Sequence, residues 1–153
     1  MAKRGVRGYD PEALRRARET KRERTGAKPG EWTQEHVAEL MGVARTNYMA
    51  WERTEGTTRT PTPATIKRLA ELLDVTPEEL TTVTPDEATL ADLRSWAGLT
   101  QADVAAGLAV SRPTYAMIER GERELTRDQV RRFAHLVGRS QKLVDQAHRR
   151  GRG

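Results

Sequence analysis

The chain repeats itself. Residues 33–53 read TQEHVAELMGVARTNYMAWER and residues 100–120 read TQADVAAGLAVSRPTYAMIER, aligned without a gap at a constant offset of 67 positions. Identical pairs include Gln34/Gln101, Val37/Val104, Ala38/Ala105, Val43/Val110, Arg45/Arg112, Tyr48/Tyr115 and Glu52/Glu119. Further on, Ile66-x-x-Leu69-Ala70 matches Val130-x-x-Phe133-Ala134 after a three-residue difference in the loop between. Self-similarity at a fixed period means that one structural unit is used twice. The 153 residues therefore read as two small domains. The first is expected over residues 1–82 with a basic N-terminal arm, the second over 83–153 with a basic C-terminal tail.

Helix starts are legible in both halves. Asp10-Pro11, Thr62-Pro63, Thr76-Pro77 and Thr84-Pro85 each place a capping side chain before a proline at the first helical position. Thr76 to Glu79, Thr84 to Glu87, Thr100 to Asp103 and Thr126 to Gln129 have capping-box spacing or a near variant of it. Between caps, apolar residues keep a helical period, as in Ile66, Leu69, Ala70, Leu73 and in Val130, Phe133, Ala134, Val137. No stretch sustains strand alternation, so the fold class is all-α, with about five short helices in each half. Within each repeat, a helix starting at Thr-Gln ends at Gly42-Val43 or Ala109-Val110, and a second helix follows at once. Two helices joined by so short a turn make a helix-turn-helix. The small residue lets the chain reverse, and the valine plugs the turn.

Composition limits the partners. Net charge is +5 and the isoelectric point about 10.0, which favours anionic partners. The chain has no cysteine, removing disulfides, thiolate catalysis and cysteine-ligated zinc. Its start lacks the apolar stretch of a secretory signal, and no run of apolar residues is long enough to span a bilayer. His36, His135 and His148 are too scattered for a metal site. No phosphate-binding glycine loop, nucleophile elbow or supported carboxylate pair is present. The reading is therefore a binding protein and not an enzyme, with no cofactor, no metal and no small-molecule ligand.

The second half, with Leu90, Gly98, Leu99, Thr100, Gln101, Asp103, Val104, Ala105, Leu108, Val110, Ser111, Arg112, Thr114, Tyr115, Ile118, Glu119, Arg120 and Gly121, resembles the lambda-repressor/Cro, or XRE, family of helix-turn-helix domains. The resemblance spans residues 86–140. The first half resembles the same family over about residues 10–82, with two departures. A longer segment, residues 22–32, separates its first two helices. Ala44 also stands where the second copy has Ser111, removing the cap of the third helix.

The resemblance implies that the second helix of each motif enters the DNA major groove. The residues this places at base edges or phosphates are Ala44, Arg45, Thr46, Asn47 and Ala50 in the first copy. In the second they are Ser111, Arg112, Thr114 and Met117. Gln34 and Gln101 would grip a phosphate or its neighbour. Arg45 and Arg112 suit bidentate bonding to guanine, and Ala50 and Met117 suit apolar contact with thymine methyls. Arg53, Arg59, Arg120 and Arg123 are expected on phosphates, and Lys3, Arg4, Arg7, Arg149, Arg150 and Arg152 in mobile arms. Tyr48 and Tyr115 are expected in the core with hydroxyls reaching solvent, the tryptophans in packing, and Glu52 and Glu119 in ion pairs or caps.

The expected partner is double-stranded operator DNA. The expected role is a transcriptional regulator, most simply a repressor, of bacterial, phage or plasmid origin, in the cytoplasm at the nucleoid. Differences at Thr46/Pro113, Asn47/Thr114 and Ala50/Met117 imply two non-identical half-sites. The competing reading is a protein-interaction module of the same fold, such as an antitoxin or a polymerase-associated phage factor. Leu143 and Val144 on the last helix are candidates for a homodimer contact or an intramolecular one.

Overall fold

Side-chain caps define most of the helices. The computed structural model describes residues 5–56 and 58–153; the expected arm residues Lys3 and Arg4 lie outside them. The chain divides into two compact units, residues 1–82 and 83–153.

In the first unit, Asp10 accepts from the Glu12 N–H and opens α1, Pro11–Arg24. Thr33 accepts from the His36 N–H and opens α2, Gln34–Met41. That helix ends at Gly42, in the left-handed region at φ 70°, and the Val43 N–H bonds back to the Ala38 carbonyl at 3.0 Å. This closure is the Schellman type, in which glycine avoids the Cβ penalty. Only residues 42–44 separate α2 from α3, Arg45–Glu52. Thr62 caps α4, Pro63–Leu73, and a short 3-10 turn, Pro77–Leu80, follows. Bonds from the Asp10 N–H to the Leu80 carbonyl and from the Thr82 N–H to the Gly8 carbonyl tie the two ends of the unit together. Leu14, Val37, Tyr48, Ile66, Leu69 and Leu80 are fully buried between these elements.

In the second unit a 3-10 turn, Pro85–Glu87, precedes α5, Leu90–Trp96, which starts with a capping box of Thr89 and Asp92. α6, Gln101–Leu108, has the box of Thr100 and Asp103. α7 is Arg112–Glu119, α8 is Arg127–Val137 with the box of Thr126 and Gln129, and α9 is Gln141–Arg152. Ala109 takes the place of Gly42 at φ 56°, a conformation that costs a non-glycine residue about 1–2 kcal/mol. Val104, Tyr115, Phe133, Val144 and Ala147 are sealed in its core.

Several expectations change here. The Thr84 side chain makes no cap hydrogen bond. The C-terminal residues are no mobile arm: they form α9, from which Arg150 donates to the Ala88 carbonyl and Arg152 to the Gly121 carbonyl. Of the two residues expected in a homodimer or intramolecular contact, Val144 is 0% exposed and serves the intramolecular one, whereas Leu143 is half-buried. The Tyr48 and Tyr115 hydroxyls are buried and do not reach solvent.

The two third helices differ at their caps as the sequence implies. Ser111 accepts from the Thr114 N–H at 3.2 Å, whereas Ala44 offers no acceptor. Ala44→Ser is expected to stabilise the first unit by about 1 kcal/mol. Peptide-resolved hydrogen exchange of the first unit across a urea series measures it, and no gain would mean that water already satisfies this helix start.

Candidate nucleic-acid interface

The start of α3 and of α7 is held in place by an ion pair at its far end, buried in the first unit and part-buried in the second. In the first unit the Arg18 guanidinium grips Glu52 with two parallel bonds, Nε to Oε2 at 2.8 Å and Nη2 to Oε1 at 3.0 Å. Its Nη1 donates to the Trp32 carbonyl at 3.1 Å, and Gln34 Nε2 donates to Glu52 Oε1 at 3.2 Å. The second unit repeats the arrangement. Arg94 holds Glu119 at 2.6 and 3.3 Å and the Leu99 carbonyl at 3.0 Å, while Gln101 reaches Glu119 at 3.0 Å. One cluster thus joins the first helix, the turn before the second, the start of the second and the end of the third. It fixes the angle at which α3 and α7 present their first turns.

Burial alone would raise both carboxyls. The arginine's hydrogen bonds and charge, helped by tyrosine and glutamine, hold Glu52 and Glu119 below the usual carboxylate range. Desolvation first, and the carboxylate charge second, push the Tyr48 and Tyr115 phenols far above theirs, so both stay neutral.

The opposite end of each helix faces outward. Ala44, Arg45, Thr46 and Asn47 are exposed, as are Ser111, Arg112 and Met117, the last by 36%. Thr114 is half-buried and accepts from the Ser111 hydroxyl at 2.8 Å. Neither Arg45 nor Arg112 forms an ion pair with any described residue. Gln34 and Gln101 are half-buried, each with an N–H committed to the glutamate at the far end of the helix. Ala50 is corrected: at 6% exposure it belongs to the core and not to the outer face. Arg53, Arg59, Arg120 and Arg123 are all exposed. Arg120 is engaged, with Nε and Nη2 on the two Glu122 oxygens at 3.0 and 3.1 Å.

Arg18 and Arg94 have no place among the sequence expectations. They lie 76 positions apart, not 67, because the longer segment before α2 shifts the register. The signal was Leu14-x-x-x-Arg18 matching Leu90-x-x-x-Arg94.

In the second unit, α9 buttresses the loop that follows α7. The Leu125 N–H donates to His148 Nε2 at 3.1 Å, and Arg152 lies 3.5 Å from Glu124. Desolvation, then the Arg152 charge, lowers the His148 pKa, against weaker opposing pulls from Glu124 and Asp145. The native imidazole is therefore neutral and accepting, while the unfolded chain takes up a proton near pH 6.5. Stability contributed by this group is fully present above that value. It is lost as pH falls from about 6.5 toward the lower native pKa. His148→Gln is expected to flatten this part of the stability–pH curve, and an unchanged curve would assign the slope elsewhere.

Among the described residues, no group of histidine, aspartate and glutamate is placed to hold a metal ion, and no helix is long and apolar enough to cross a membrane. Residues 27–80 match a family described as helix-turn-helix, and residues 88–147 match one described as helix-turn-helix domain. No curated protein and no solved structure shows significant similarity to the chain. With a tight α-turn-α in each unit, an outward-facing first turn on the second helix, and a family match on each half, the chain carries two helix-turn-helix domains in tandem, consistent with the lambda-repressor/Cro-like type.

Proposed function

We propose that the chain is a sequence-specific double-stranded DNA-binding transcription regulator, acting as a repressor, whose α3 and α7 read two non-identical half-sites. The observation that carries this reading is the contrast between two sets of arginines. Arg18 and Arg94, which hold the fold, are neutralised by carboxylates, Glu52 buried and Glu119 part-buried. Arg45 and Arg112, at equivalent places on the outward first turns, are exposed and free of ion pairs among the described residues. An exposed guanidinium at the start of a major-groove helix has the donor geometry for guanine O6 and N7, worth about 1–3 kcal/mol of discrimination. The half-sites differ because the outward faces differ: Arg45, Thr46 and Asn47 in one domain, Arg112, Pro113 and Met117 in the other. Two recognition helices in one chain make a second copy unnecessary. The protein then acts by occupancy, at the nucleoid, without catalysis or cofactor.

Selection of bound duplexes from a random pool, at near-physiological salt, tests this. The expected outcome is a two-part motif, one half weakened by Arg45→Ala and the other by Arg112→Ala. Weak binding that vanishes with salt and enriches no sequence would leave only the nonspecific electrostatic term. That result would favour a protein partner instead.

A further inference from the structure

The two recognition helices differ most at one repeat position. Met117 of α7 is 36% exposed, whereas Ala50 of α3 is 6% exposed. Position 50 lies three and four residues after Asn47 and Thr46, both exposed, so it shares their side of the helix. The loop after α3 returns to the C-terminal end of that helix. It is three residues longer than the loop after α7, and it doubles back. The Arg53 and Arg59 N–H groups both donate to the Ala50 carbonyl, at 3.4 and 3.3 Å. This lays the backbone of residue 59 against the last turn of α3.

The returning segment is pinned from its other side. A Cβ on Gly5 would run into the Thr60 side chain, so the N-terminal segment is packed hard against it, and Val6 beside it is buried. Arg59 is exposed and forms no ion pair with any described residue. The second domain is built otherwise. The Glu122 N–H closes a tighter turn on the Met117 carbonyl at 2.9 Å, the Met117 side chain stays outside, and Glu122 occupies Arg120.

We propose that Arg59 is a specificity-determining residue of the first domain, presented by the loop at the place where the second domain presents Met117. The inference rests on the DNA-reading function proposed above. It makes the inner part of the first half-site a guanine contact and the matching part of the second an apolar contact suited to a thymine methyl. It also changes the role of Arg59 from phosphate clamp to base reader, and those roles differ measurably. A phosphate contact carries no sequence information, whereas a base contact does.

The test is random-pool selection and titration with the full chain, comparing wild type, Arg59→Ala, Arg59→Gln and Arg45→Ala. Arg59 is exposed and unpaired, so its variants should keep the wild-type melting temperature. The expected result is one base position of the first half-site where wild type prefers guanine by about 5- to 150-fold. Arg59→Ala should lose that preference, Arg59→Gln should move it toward adenine, and the second half-site should be unchanged. The inference is overturned if both variants keep the wild-type motif while Arg59→Ala weakens all duplexes alike and makes the salt slope shallower by about 0.9, the mark of one lost phosphate contact. If Arg45→Ala also leaves the first half-site unaltered, the first domain does not read DNA through α3, and the functional reading of that domain falls together with this inference.

Discussion

Replacing Glu52 with alanine is expected to destabilise the first domain by about 3–5 kcal/mol, because it leaves a buried guanidinium without its counter-charge. The Arg18 and Glu52 side chains are only 9% and 2% exposed, and the pair is joined by two parallel bonds. Losing the carboxylate also strips Gln34 of its acceptor. Marginally stable domains have little more than this to lose. Replacing both partners, Arg18→Met with Glu52→Leu, should be far milder, since apolar residues of similar volume need no desolvation of charge. Peptide-resolved hydrogen exchange on the full chain separates the domains. Protection should fall across residues 10–82 and hold in the second unit. A loss under about 1 kcal/mol would mean that water reaches Arg18. The same pair, with its counterpart in the second unit, contributes to the acid limit. Both glutamates are held below the ordinary range, so their contribution is present above about pH 4.3 and is lost as pH falls through the native values.

Gly121→Ala should cost the second domain about 2–5 kcal/mol for two separate reasons. Gly121 has φ 77°, a left-handed conformation that penalises any residue with a Cβ by about 1–2 kcal/mol. That Cβ would also collide with the backbone carbonyl of Gly151, near the end of α9, and overpacking adds about 1–3 kcal/mol. Backbone cannot swing aside as a flexible side chain would. The last turn of α9 must therefore lift, taking with it the Arg152 bond to the Gly121 carbonyl and the contact with Glu124. Urea unfolding measures the cost. Truncating the chain after residue 149 in the Gly121→Ala background should recover the collision part and leave the conformational part. If truncation recovers nothing, α9 does not restrain this loop.

How much of this was legible in the sequence depends on whether a feature is local. Thr33, Thr62, Thr100 and Thr126 mark helix starts because a cap needs only three neighbouring residues, and each makes its cap bond. The turn at Gly42 and at Ala109 was equally readable, since chain reversal in so few residues leaves few conformations. Features that depend on a distant segment were not. Ala50 matches the exposed Met117 in the repeat, yet it is buried, and a longer loop closes on its carbonyl. Arg149 to Arg152 read as a solvated basic tail, but Ser140 caps a helix whose apolar side, through Val144 and Ala147, packs into the core. The partners of Glu52 and Glu119 were hidden by the register shift ahead of α2, although their role as ion-pair residues was visible from the repeat itself.

Whether each domain reads its own half of one target is decided by titrating wild type, Arg45→Ala and Arg112→Ala against four duplexes: both half-sites intact, the first scrambled, the second scrambled, and both scrambled. Arg45→Ala should cost about 1–3 kcal/mol on duplexes with an intact first half-site and nothing where that half is scrambled, whatever stands in the second. Arg112→Ala should mirror this on the second half. Penalties that ignore which half is scrambled, or an arginine whose loss costs nothing on any duplex, would contradict it.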